Sequence, residues 1–285
     1  MELYAPRILG DCIGMDTEMK DQQEGNASEK AVDPLFVESV RKAFTVLDAL
    51  NEVQQPMTLV QISEHSGLGR SSVQRFVHTL REMGFLRQDP KTKAYILTPK
   101  ILSYSRTFFS SDALCTRAEP FLRALALETG ETVNLSELNG SDIIYTIRFP
   151  SIHSVSVNLA IGARLPAFNT ASGRAILATM PRDQAQAVLS ASDRRQWTPT
   201  TKTDLAVLLA ELDAIERKGF SLSDQEAFLG DISVAAPVIG HDGKCSAAVN
   251  IAVPTPRWTK ELVVSDLMPK VVETAARISQ EIGSG

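Results

Sequence analysis

The sequence predicts an α+β protein in two parts: a winged helix-turn-helix, then a domain in which antiparallel strands are mixed with helices. Three observations predict it. Residues 59–86, LVQISEHSGLGRSSVQRFVHTLREMGFL, read as two short helices joined by a tight turn. Two strand-like runs follow at once, separated by Asp89-Pro90-Lys91-Thr92, which has turn chemistry. Beyond Gly130 the texture changes to alternating apolar runs, the first two separated by Asn139-Gly140, a strong hairpin signal.

Taken in chain order, residues 1–34 carry 3 basic and 8 acidic groups, show no sustained period and are expected to be a disordered acidic segment. Met1, Met15 and Met19 each offer a start. Order is expected from Val37, where Val40, Phe44 and Leu47, with Ala43 and Leu50 beside them, make an amphipathic helix that braces the helix-turn-helix. Arg41, near its start, can touch a phosphate.

In the helix-turn-helix, Leu59 and Ile62 supply apolar positions and Gly67 can take the left-handed backbone of a helix end. Ser71 or Ser72 is the expected cap of the second helix. There Val73, Phe76, Val77 and Leu80 fall on one face, leaving Ser72, Gln74, Arg75, His78 and Arg81 away from it. Gln74 and Arg75 can make bidentate contacts to base edges; Arg70, Ser71 and Ser72 can reach phosphates. The same pattern fits an ordinary helical hairpin, but such a hairpin carries no wing. Here residues 85–88 and 94–97 are the strands of one, and Lys91 and Lys93 sit near its tip, where a wing contacts DNA.

Residues 99–112 are expected to form a linker helix anchored by Ile101, Leu102, Phe108 and Phe109. A helix over 113–129 ends at Gly130. Strands are expected at 132–138, 143–148, 155–161, 232–239 and 246–253, the last two flanking the turn His241-Asp242-Gly243-Lys244. Helices are expected at 171–179, after Pro181, from Leu205 to a stop at Gly219, and over 259–282. The chain thus divides into residues 35–98, 99–112 and 113–285.

Composition is that of an ordinary soluble protein, with 44% hydrophobic and 22% charged residues in 285. No apolar run approaches the roughly 20 residues of a membrane helix, and the first residues lack the basic start and apolar core of a signal peptide. Cys12, Cys115 and Cys245 show neither metal-ligand spacing nor a disulfide framework, so a cytoplasmic protein without metal or cofactor is expected. The net charge is −5, yet residues 35–100 hold 9 basic and 6 acidic groups. That local excess marks the DNA-binding segment, and its modest size favours two modules acting together.

Over residues 37–282 the chain resembles the IclR family of bacterial transcriptional regulators. The opening helix Ser39-Val40-Arg41-Lys42-Ala43-Phe44, the Gly67-Leu68 turn and the Gly84-Phe85-Leu86 exit are similar to its DNA-binding half. Leu165-Pro166, Ser172-Gly173-Arg174-Ala175, Asp224-Gln225-Glu226, Gly230, Ala235 and Pro237-Val238 are similar to its sensor half. Residues 157–166, VNLAIGARLP, look like the branch responding to protocatechuate, hydroxybenzoate or β-ketoadipate. There is one departure: many relatives carry Arg two residues after the late glycine, where this chain has Ile232 after Gly230 and Asp231. The resemblance implies a GAF-like effector domain, a homodimer or tetramer, a palindromic promoter operator, and a small carboxylate effector. It also implies that effector binding shifts the placement of the winged helices.

Within that domain, Ser172-Gly173 is expected at the first turn of a helix, with Gly173 letting a ligand carboxylate approach the backbone. Simple capping and tight packing are the alternative reading of the pair. Asp224 and Glu226, two apart, are expected on one side of a strand, pairing with Arg148 or Arg174, contacting ligand hydroxyls, or holding a metal. The family pocket implies Ser223, Ser233, Asn250 and Ala252 as lining residues, with Arg148 as counter-ion. Catalysis is not expected. There is no G-x-S-x-G, G-x-G-x-x-G or phosphate-cradling loop, and His65, His78, His153 and His241 lack partners at a telling spacing. Two other readings stay open on the sequence: a ligand-independent DNA-binding protein with a vestigial sensor, and a metal-binding or enzymatic C-terminal domain.

Overall fold

The computed structural model describes residues 35–153 and 159–283. The chain divides into two compact units between Pro99 and Lys100.

The first unit holds helices α1 (Glu38–Val53), α2 (Leu59–Ser66) and α3 (Arg70–Glu82), and the hairpin β1 (Leu86–Gln88) and β2 (Tyr95–Leu97). Helix α2 opens with a capping box: Gln61 N–H donates to Thr58 Oγ1, and Thr58 N–H donates to Gln61 Oε1 at 2.9 Å. It stops at Gly67, which takes φ 66°. Ile62, Val73, Val77 and Leu80 are buried against Val46, Ala49 and Leu50 of α1. The hairpin pairs Leu86 with Leu97 and Gln88 with Tyr95, and a bridge from Met57 to Tyr95 backs it. Its tip is ordered by Asp89, whose Oδ1 accepts the Lys91 and Thr92 N–H groups at 2.8 Å.

Two expectations for this unit are corrected. Gly69, not Ser71 or Ser72, caps α3, placing both serines inside its first turn. The helix starts earlier because Gly69 takes the extended backbone an N-cap needs. On α1 the packed stripe is Val46, Ala49 and Leu50, whereas Val40 and Phe44 are 52% and 60% exposed. Two apolar stripes share that helix, and periodicity alone does not say which one its neighbours cover.

The second unit begins with α4 (Leu102–Ser111) and α5 (Ala113–Thr129). Of the expected α4 anchors, Phe109 packs against the core, while Leu102 and Phe108 are exposed. The sheet comprises β3 (Thr132–Asn139), β4 (Asp142–Phe149), β5 (Arg164–Pro166), β6 (Ser221–Asp224), β7 (Asp231–Ile239) and β8 (Cys245–Pro254). Its order is β5-β4-β3-β8-β7-β6, every pair antiparallel. Most of the expected strand at 155–161 lies outside the described residues, and Leu159 to Ile161 are not strand. Strand pairing resumes instead at Arg164–Pro166.

The remaining helices are α6 (Ala171–Leu177), α7 (Arg182–Ala191), α8 (Leu205–Lys218), α9 (Lys260–Leu262) and α10 (Met268–Gly283). A π turn at Val263–Leu267 joins the last two, where one continuous helix was expected. Helices α5 and α10 cover one face of the sheet, and α6, backed by α8, covers the other. Strand alternation sorts side chains between the two cores. On β8, Val249, Ile251 and Val253 point to α5 and α10, and Ala248 to the α6 side.

Candidate functional site

On the α6 side of the sheet lies a cavity of about 210 Å³. Alternation delivers its floor: Thr132 and Asn134 of β3, Ser233 of β7, and Asn250 and Ala252 of β8 share that face. Strand β4 contributes both Tyr145 and Arg148, which a regular strand would send to opposite faces. A β-bulge resolves this. Leu135 pairs with Ile147 and Ser136 with Tyr145, leaving Thr146 as the extra residue.

The floor is one hydrogen-bonded ladder across four strands. Arg148 Nη1 donates to Asn134 Oδ1 at 2.9 Å, Asn134 Nδ2 to Asn250 Oδ1 at 3.2 Å, and Asn250 Nδ2 to Ser233 Oγ at 3.0 Å. Each buried amide thus has its partners and a set orientation. The roof comes from α6 and the loop after β6, with Ser172 and Phe228 facing inward. The Ser172 hydroxyl is buried and has no hydrogen-bond partner among the described residues.

Charge in the cavity is sparse. Glu131 is held at one end by Arg257 Nη2 at 2.6 Å and Trp258 Nε1 at 2.9 Å. Burial pulls the Arg148 guanidinium below its ordinary value, opposed by Tyr145 and Asp231. Burial, reinforced by Asp231, pushes the Tyr145 phenol up, so it stays protonated. Burial also raises the Asp231 carboxyl to about 7, against the pull of Arg148.

Of the nine residues the sequence nominated for the ligand, Arg148, Ser172, Ser223, Ser233, Asn250 and Ala252 line this cavity. Gly173, Asp224 and Glu226 do not. A Cβ on Gly173 would come within 2.3 Å of the Ala167 Cα and carbonyl oxygen, so the close neighbour is protein backbone. The Gly173 N–H is donated to Thr170 Oγ1, the cap of α6. Asp224 ends β6, and Gln225 then takes φ 59°, so Glu226 is not two places along a strand from it.

Glu226 turns back under α6. Its carboxylate receives both terminal nitrogens of Arg174, which is fully buried, and accepts the Lys202 N–H at 3.2 Å. Arg174 Nε donates to the Phe168 carbonyl at 2.7 Å, and Glu211 and Lys202 complete the cluster. Burial raises the Glu226 carboxyl, but its Arg174 bonds and the Lys202 charge outweigh that and hold it below the usual range. Sequence reasoning did not nominate Asn134, Tyr145 or Asp231 for the cavity. A usable signal existed for Asn134. In β3 the apolar Val133 and Leu135 alternate with Thr132, Asn134 and Ser136, a polar row on a strand long enough to be central. Among the described residues, no three His, Cys, Asp or Glu side chains form a metal-holding group.

In the first unit, Gln74, Arg75 and His78 project from the exposed face of α3, with Arg70 and Ser71 exposed and Ser72 half-buried at its start. Among the described residues, the Arg70, Gln74 and Arg75 side chains have no hydrogen bond or ion pair, and neither do those of Lys91 and Lys93 at the wing tip. His78 lies 3.4 Å from Arg81, which pairs with Glu82. Arg41, on α1, is ion-paired to Glu38 one turn away.

Two family models match the chain: the IclR helix-turn-helix domain over residues 39–90, and the bacterial transcriptional regulator IclR C-terminal domain over residues 107–280. The chain is 30% identical over 251 residues to the Pca regulon regulatory protein of Pseudomonas putida, covering 88% of this chain and 86% of that protein. It resembles the crystal structure of an IclR transcriptional regulator from Alicyclobacillus acidocaldarius, with TM-score 0.76 and 26% identity over 87% of this chain and 100% of that one. It is also similar to the inducer-binding domain of the Acinetobacter PobR transcription factor, solved as a double mutant with 3-hydroxybenzoic acid. That match has TM-score 0.53 and 26% identity over 57% of this chain and 95% of that one. The matched family consists of transcriptional regulators, not enzymes. With both halves matched over nearly their full length, the chain belongs to the IclR family of bacterial transcriptional regulators.

Proposed function

We propose that this regulator is switched by a small carboxylate, an aromatic acid or its ring-cleavage product, bound in the cavity beneath α6. The observation that carries this reading is that one small cavity wall holds both the Arg148 guanidinium and the Ser172 hydroxyl, which has no hydrogen-bond partner among the described residues. A cation and a free hydroxyl suit a carboxylate, and the asparagine ladder offers further polar contacts to a phenol or carbonyl. Ser223, Ser233, Asn250 and Ala252 complete the proposed ligand set, with Ala252 leaving room for a ring. The complex of the PobR inducer-binding domain with 3-hydroxybenzoic acid supports this choice of ligand class.

On DNA, Gln74, Arg75 and His78 are the proposed base contacts. Arg41, Arg70, Ser71, Ser72, Lys91 and Lys93 are the proposed backbone contacts. The protein acts in the cytoplasm as a homodimer or tetramer on a palindromic operator of a catabolic operon, half-sites about 34 Å apart. The effector alters operator affinity only as far as it binds one state better than the other. Among the described residues, no helix is long and apolar enough to cross a membrane.

A thermal-shift screen of aromatic and aliphatic acids on the full chain, run beside operator titrations, tests the proposal. A carboxylate that raises Tm and changes operator affinity, with both effects lost in Arg148→Ala, is expected. If no acid changes either quantity, the chain is a ligand-independent DNA-binding protein.

A further inference from the structure

Asp231 opens β7 and faces the cavity from the strand three places removed from Arg148 in the sheet. The polar side chains of the floor ladder are hydrogen-bonded to one another, and Glu131 is neutralised by Arg257. The Asp231 carboxylate, in contrast, has no hydrogen bond or ion pair among the described residues. The charged and titratable groups facing it are Arg148 and Tyr145 of β4, with Glu131 before β3 also on the wall. Among the described residues, the cavity wall therefore holds one guanidinium, and one carboxylate that has no hydrogen bond or ion pair.

We infer that Asp231 sets the charge class of the effector: the cavity takes a monocarboxylate with a neutral, hydroxyl-bearing remainder, discriminates against dicarboxylates, and takes up a proton on Asp231 as the acid binds. The inference rests on the carboxylate reading of the same cavity and narrows it to the aromatic acid, since ring-cleavage products carry two carboxylates. Its logic is electrostatic. A ligand carboxylate beside Arg148 offsets the charge that favours an ionised Asp231 and adds a second anion to the same cavity. Asp231 already titrates at about 7 in the free protein, so binding moves it further toward the protonated form. Protonated, it can donate to or accept from a ligand hydroxyl. Among the described residues, the wall offers no second cation to a second ligand carboxylate.

The sign follows from linkage. A group that is more protonated in the complex makes binding weaken as pH rises above its value in the free protein, here about 7. An ordinary carboxylic acid, with a pKa of about 4, stays ionised throughout that range and contributes no slope.

The test uses the full-length protein with 4-hydroxybenzoate and adipate as probes, titrated calorimetrically from pH 6 to 8, below the ionisation of the phenol, in two buffers of different ionisation enthalpy. For 4-hydroxybenzoate the expected results are proton uptake above pH 7 approaching one per site, and affinity falling by up to about tenfold per pH unit there. Adipate is expected to bind at least tenfold more weakly. In Asp231→Asn, an isosteric change, the slope and the uptake should vanish and the preference over adipate should narrow. Proton counting on the unaltered protein does not depend on that variant folding. Hydroxybenzoate binding with no proton uptake, or adipate binding equally well, overturns the inference while leaving the carboxylate reading intact. Binding of neither acid at any pH overturns both.

Discussion

Arg174 and Glu226 face each other across the gap between α6 and the loop after β6, joined by two parallel N–H to carboxylate contacts out of reach of water. The geometry ties the segment before β7 to the helix that roofs the cavity. It also leaves neither charge able to rehydrate if the other is removed.

Glu226→Ala should therefore destabilise the protein by about 3 kcal/mol, since the buried Arg174 guanidinium loses its two-point partner and keeps only the Glu211 carboxylate at 3.1 Å. Chemical denaturation at neutral pH measures it. The Glu226 carboxyl is held below its ordinary value of 4.5, so its contribution is complete above that pH and is lost as pH falls through the folded-state value. Glu226→Gln mimics the protonated form. The stability gap between it and the unaltered protein should close as the pH drops below about 4.5. A gap that persists unchanged to pH 3 would show that the ion pair is not its source.

Arg75 projects from the exposed face of α3 with no partner of its own to give up among the described residues. Arg75→Ala should weaken specific operator binding by about 1–3 kcal/mol, as the loss of one bidentate base contact does. Binding to random DNA should change much less, and any acid-induced thermal shift should persist. Mobility shifts with operator and scrambled duplex measure the difference. Unaltered operator affinity would remove α3 from the recognition role.

How far the sequence discloses the structure differs between the two halves. The α2–turn–α3 unit and its wing are readable because their signals are local: Gly67, a four-position apolar stripe, Asp89-Pro90. The cavity is only partly so. Ser233, Asn250 and Ala252 are implied by the family resemblance, and strand alternation puts them on one face. Arg148 and Tyr145 share a wall only through the bulge at Thr146, which nothing in the run IIYTIRF announces. Glu226 pairs with Arg174, one of the pairings the sequence suggests, but not from a strand face shared with Asp224, because Gln225 leaves the strand through a positive φ that only the folded loop reveals.

Lys91 and Lys93 stand at the wing tip beyond an Asp89 that is already engaged with the turn backbone. Replacing both by Ala should weaken binding to operator and to unrelated DNA by similar factors. The salt dependence should flatten by about one unit of log–log slope per lysine lost. Titrations at several salt concentrations read both quantities. A loss confined to the operator would instead assign the wing to base recognition.

Gly173 separates two explanations that the sequence leaves level. If it were needed for a ligand's approach, Gly173→Ala would fold normally and lose only acid binding. The backbone of Ala167 already occupies that space, 2.3 Å from where the new methyl would sit, and a backbone neighbour cannot rotate away. Helix α6 and the turn at Ala167–Asn169 would have to separate, opening the core around Phe168 and Leu177. We expect Gly173→Ala to be destabilised by about 1–3 kcal/mol or more, visible as a lowered Tm without any acid present. An unchanged Tm combined with lost acid binding would return Gly173 to the ligand site.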